Sequence, residues 1–226
     1  MVTLPTSALP QLYTRLMEEI KIRLEAVSRE LRTANEKRDD ADGFVHAESA
    51  CLQVRMVTEL IALAVVIAHN EEAEFRNDRL VGQWNAHRIF DALKRLNNDA
   101  FPIRFVLHGL TEDGLANAVL EEEGYLTKDG LCKIYDDCGE LLHAGRLKDL
   151  VQRPKRYDLG RIQTWRRNIM QLLNNHVIFL PNKKKVMNVY MAKAPDGRVE
   201  CDLDDLTEYE VVLSPPHIIR RYRTVL

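Results

Sequence analysis

Residues 46–68, HAESACLQVRMVTELIALAVVIA, decide the fold. Ala47, Ala50, Cys51, Val54, Val57, Leu60, Ile61, Ala64, Val65 and Ala68 recur at steps of one, three and four. That spacing predicts a helix whose apolar stripe widens toward its C-terminal end, as expected of a helix entering the centre of a bundle. Glu59 lies beside the buried end and follows Arg55 by four residues. A pair along the helix is therefore expected, because a carboxylate there must be paired or neutralised. The longest unbroken apolar run, Leu60 to Ala68, is nine residues. A membrane-spanning helix needs about 20, so the run is read as core and no membrane partner is expected.

On the N-terminal side, Leu12, Leu16, Ile20, Leu24, Val27 and Leu31 form one stripe of a helix over about residues 8–33. The polar stretch Asn35–Gly43 ends in Asp42-Gly43 and reads as a loop. On the C-terminal side, 84–96 reads as a shorter amphipathic helix stopped by Asn97-Asn98-Asp99. Residues 101–110 fit either a strand or an irregular return. Thr111 looks like the cap of a short helix carrying Leu115, Ala118, Val119 and Leu120. Thr127 caps the next helix, running to about His143, and Asp158 caps the last, over 159–174.

After Asn174-Asn175 the pattern changes. The runs 176–180, 185–192 and 198–203 are rich in Val, Ile and Tyr, and Pro195-Asp196-Gly197 is a tight-turn signal. They predict a three-stranded meander. A fourth run, Tyr209–Leu213, precedes Pro215-Pro216 and a basic tail, Arg220-Arg221-Tyr222-Arg223. The expected fold is mainly α: a helical bundle of about five to six helices with a small C-terminal antiparallel β meander, α+β overall. The expected division is a helical bundle over 1–175 and a β-rich extension over 176–226.

The composition, 46% hydrophobic and 29% charged, is that of a globular protein. Met-Val-Thr-Leu-Pro at the start lacks the basic opening and apolar core of a secretory leader, so a cytoplasmic location is expected. Cys51, Cys132, Cys138 and Cys201 have neither Cys-x2-Cys spacing nor a histidine at zinc-ligand spacing. They are read as free thiols packed as small hydrophobes, with no metal and no cofactor expected. The net charge of −2 hides an asymmetry: residues 1–144 carry −9 and residues 145–226 carry +7. There is no Gly-rich phosphate loop, Gly-x-Ser-x-Gly elbow or His-Glu-x-x-His pair.

The strongest chemical candidate is Tyr135-Asp136-Asp137-Cys138-Gly139-Glu140-Leu141-Leu142-His143. On a helix Tyr135, Cys138, Gly139, Leu142 and His143 share one face. A mid-helix glycine costs about 1 kcal/mol against alanine, so Gly139 implies that another element approaches closely there. His143 falls at the helix C-terminus, where the dipole favours the imidazolium. A tyrosine, a small-residue face and a terminal histidine on a helix late in an all-helical bundle resemble the HEPN superfamily. The resemblance covers about residues 8–175. It implies an RNA-associated protein, catalytic or degenerate, working as a homodimer.

Family members that cut RNA carry an arginine, four to six intervening residues and then the histidine. Here Cys138, Asp137 and Asp136 stand at those places, and carboxylates there would repel a phosphate. Arg146, just after His143, is the remaining cation, so the candidate catalytic set is His143, Tyr135 and Arg146. A second candidate is nucleic-acid contact through Arg153, Lys155, Arg156, Arg166, Arg167 and Lys184. Basic residues interleaved with aromatics such as Trp165 and Tyr222 can grip a backbone and stack bases. The expected function is a non-catalytic, dimeric, HEPN-like helical interaction module, with RNA binding or His143-dependent RNA cleavage as the alternative.

Overall fold

The computed structural model describes residues 8–38, 40–69, 86–95, 100–110, 116–121, 125–143, 157–180, 185–193, 196–205, 208–214 and 217–224. Two 28-residue helices, α1 (Leu9–Glu36) and α2 (Ala41–Ala68), pack against each other over their length. Tyr13, Met17, Ile20 and Val27 of α1 and Ala50, Val54, Val57 and Ile61 of α2 are completely buried. Removing an aliphatic side chain of this kind from water contributes about 1.5–3 kcal/mol. By length and composition alone α2 could cross a membrane, but 67% of its apolar window is buried inside the fold. Its apolar character is accounted for by its place at the centre of the bundle.

Three shorter helices surround α2 among the described residues: α3 (Ala86–Arg95), α4 (Lys128–Leu142) and α5 (Leu159–Leu173). Both expected caps are present. The Thr127 hydroxyl accepts from the Gly130 N–H at 3.1 Å, and the Asp158 carboxylate accepts from the Arg161 N–H at 3.0 Å. The loop between α1 and α2 is shorter than its polarity suggested. Gly43 sits in the first turn of α2, where a Cβ would lie 2.1 Å from the Lys37 carbonyl oxygen. The glycine lets the returning chain press against the end of α1.

The α+β class holds, and β3 (Asn175–Phe179), β4 (Lys185–Lys193) and β5 (Arg198–Asp205) form the C-terminal antiparallel meander. At its turn the Asp196 carboxylate accepts from the Arg198 N–H at 3.1 Å. The meander belongs to a seven-stranded antiparallel sheet. With β1 (Ile103–Leu110), β2 (Ala116–Glu121), β6 (Glu208–Ser214) and β7 (His217–Thr224), the order is β5-β4-β3-β1-β2-β7-β6.

One sequence expectation is corrected here. Of the short helix read after Thr111, residues 116–121 are instead strand β2, which pairs with β1 (Phe105 opposite Leu120) and with β7 (Leu120 opposite Arg220), while residues 111–115 lie outside the described residues. The three-and-four spacing of Leu115, Ala118 and Val119 suits a helix locally. Ladders on both sides override that preference, because strand formation depends on neighbours more than on local propensity. The ambiguous 101–110 segment is strand β1, and the basic tail is β7, hairpin partner of β6.

Helices α1 and α5 pack against the part of the sheet formed by β1, β3, β4 and β5. Ile178, Met187, Val189 and Met191 join the main core, while Phe105, Leu120, Val177, Phe179 and Val186 form a second buried cluster. Side-chain hydrogen bonds tie helix α1 to the meander. Lys21 Nζ donates to the Gly197 carbonyl at 2.7 Å, and Glu18 accepts from the Val199 N–H at 2.7 Å.

Candidate functional site

The face of α4 singled out in the sequence packs against α2. Arg55 reaches Glu59, one turn along α2, at 3.3 Å, as the four-residue spacing predicted. Its Nη2 donates to the Tyr135 hydroxyl at 2.9 Å, and its guanidinium carbon stands 4.5 Å from the Tyr135 ring centroid. The other side of that ring stacks on Phe90 of α3, with centroids 4.2 Å apart and planes 29° apart. Gly139 lies beneath the same guanidinium, and a Cβ there would meet Arg55 Nη1 at 3.0 Å. The close approach inferred from a mid-helix glycine is therefore made by an arginine.

Burial opposes the Arg55 charge, but Tyr135 and Glu59 more than offset it and hold the guanidinium above its ordinary value. Cys138 and Cys51 fill the adjoining core as thiols not joined in a disulfide. The Cys138 thiol is raised by its hydrogen bond to Cys51 and by burial. Cys132 is buried and Cys201 half-buried, both likewise not joined in a disulfide.

Tyr135 and His143 end in different environments. Tyr135 is 4% exposed, inside the helix packing. Helix α4 stops at Leu142, and His143 follows as an exposed cap residue in extended backbone, its N–H donating to the Gly139 carbonyl at 3.1 Å. Arg146 lies outside the described residues, as do Arg153, Lys155, Arg156 and Lys184.

Arg166 and Arg167, both picked out from the sequence, are brought together with an arginine the sequence reading passed over. With Arg104 of β1 they line an open groove of about 490 Å³ along α5. The carboxamides of Gln163, Gln171 and Asn174 and the half-exposed Met170 complete its wall. Arg166 Nε donates to the Leu24 carbonyl of α1 at 2.9 Å. Burial lowers the Arg166 guanidinium somewhat, against the pull of Glu25. Arg104 Nη1 donates to the Tyr125 hydroxyl at 2.7 Å, with its guanidinium 4.8 Å from the ring centroid. Arg104 is not among the cations singled out from the sequence, because it falls in the ambiguous 101–110 segment, where only strand pairing decides which way the chain runs.

Trp165 does not supply the stacking surface that its basic neighbours suggested. It is 7% exposed and part of the core, with the Arg161 guanidinium 4.8 Å from its ring and Arg161 itself paired with Asp137. Among the described residues no three His, Cys, Asp or Glu side chains cluster as a metal site. No family model matches this chain, and no curated protein or solved structure shows significant similarity to it.

Proposed function

We propose that this chain is a non-catalytic helical interaction module, HEPN-like in its layout, that works as a homodimer. One observation carries the non-catalytic part: the tyrosine of the motif is committed to packing. Its ring lies between Phe90 and the Arg55 guanidinium, and its hydroxyl is bonded to Arg55. A group held this way is ordered by the fold and is 4% exposed, whereas a catalytic acid or base must reach the proton it transfers.

Self-association is supported by the outer side of α2. Val45 and Leu52, seven residues apart and so on one stripe, are 59% and 44% exposed. Exposed apolar side chains on one stripe offer a contact surface, and a second copy would cover them.

The test combines sedimentation velocity with an RNA incubation. The wild type is expected to dimerise with rising concentration, Leu52→Glu to remain monomeric, and neither to cut labelled single-stranded RNA. RNA cleavage by the wild type that vanishes in His143→Ala would replace this reading with the nuclease one. A wild type that stays monomeric would remove the dimer.

A further inference from the structure

We propose that the groove between α5 and β1 is a binding site for a phosphate ester, with Arg166 and Arg167 as its principal ligands and Arg104 as the third cation. This goes beyond the interaction-module reading and does not depend on self-association.

The first argument is charge. Three guanidinium groups line one groove, and no carboxylate is among its described lining residues. Arg167 is exposed and makes no hydrogen bond or ion pair among the described residues. Like charges gathered in one groove repel one another, Glu25 offsets this only in part at Arg166, and an anion between them lowers the repulsion. Guanidinium is suited to that anion, because its planar fork meets two phosphate oxygens at once.

The second argument is orientation. The Nε–H of Arg166 is held by the Leu24 carbonyl, and Arg104 is held against Tyr125 through Nη1 and its ring. A side chain fixed at one end loses less conformational entropy when it binds. Residues 163, 166, 167, 170, 171 and 174 occur at helical steps of three and four, so they form a single face of α5. The three carboxamides add donors around the cations, and Met170, 41% exposed, offers an apolar surface for the rest of the ligand.

The third argument selects the ligand class. Among the described residues no aromatic ring lines the groove, and Trp165 is buried in the core. Single-stranded nucleic acid is held by successive bases on aromatic platforms together with a basic track. A volume of about 490 Å³ without such a platform suits a small phosphate monoester held by its phosphoryl group.

The experiment is calorimetric titration of the full chain with glucose 6-phosphate, AMP, inorganic phosphate and a single-stranded oligouridylate. The expected result is one-to-one binding of the monoesters, with inorganic phosphate competing. Arg166→Gln/Arg167→Gln should weaken it about tenfold or more, as expected for lost charge-assisted hydrogen bonds. Arg38→Gln, outside the groove, should leave it unchanged. Because Arg166 also ties α5 to α1, exposed Arg167→Gln alone is measured beside the double variant, with a thermal melt of each. Binding that persists undiminished in folded Arg167→Gln and in the double variant would overturn the proposal. So would no heat with any monoester, or binding of the oligonucleotide alone.

Discussion

Arg55 Nη1 occupies the space that a side chain on residue 139 would need: a Cβ there would lie 3.0 Å from it. The two positions are therefore energetically coupled across the α2–α4 contact. Alanine at a helical position gains about 1 kcal/mol over glycine, but at 139 that gain is opposed by displacement of a guanidinium already bonded to Tyr135 and Glu59. Gly139→Ala alone is expected to be close to neutral. In an Arg55→Ala background the same change should stabilise by about 1 kcal/mol. A double-mutant cycle in urea measures this, and additivity of the two substitutions would contradict it.

Tyr135→Phe keeps the ring between Phe90 and Arg55 and removes only the hydroxyl that accepts from Arg55 Nη2. The expected cost is about 1.5–3 kcal/mol, the range for a hydrogen bond to a charged group. Chemical denaturation reads the loss, and the dimer and the phosphate titration should be unchanged.

Gly43 allows no such compensation. The atom that a Cβ would meet at 2.1 Å is the backbone carbonyl oxygen of Lys37, and a backbone cannot swing aside as a side chain can. Gly43→Ala should destabilise by about 1–3 kcal/mol, as overpacking does. A melting temperature equal to that of the wild type would show that the α1–α2 turn relaxes freely.

His176 gives the stability a defined pH dependence. The imidazole is fully buried, its Nδ1–H donating to the Leu173 carbonyl at 2.8 Å and its Nε2 accepting from the Tyr13 hydroxyl at 2.9 Å. Burial pushes it from 6.5 down to about 4. Between those values the unfolded chain binds the proton and the folded chain does not, so stability rises with pH there. The contribution is fully present above pH 6.5 and is lost as pH falls toward about 4, with a total of about 3 kcal/mol. His176→Gln should flatten the stability profile across that window relative to the wild type. Parallel profiles for the two proteins would rule out this group as the source.

Local sequence alone determined the helical half of this protein. The apolar stripes, the Thr127 and Asp158 caps, and the Arg55–Glu59 spacing are relations within a few residues, so they can be read along one chain. Gly139 likewise announced a close approach, although not which residue makes it. The meander was legible for the same reason, its strands joined by short turns. Tertiary structure decided the rest. Residues 116–121 become a strand because β1 and β7 flank them, and 217–224 are a strand rather than a tail because β2 lies alongside. The groove joins Arg104 to Arg166 and Arg167, more than sixty residues away in the chain. Pairing and charge convergence at that separation depend on where the backbone returns in space, which no local periodicity encodes.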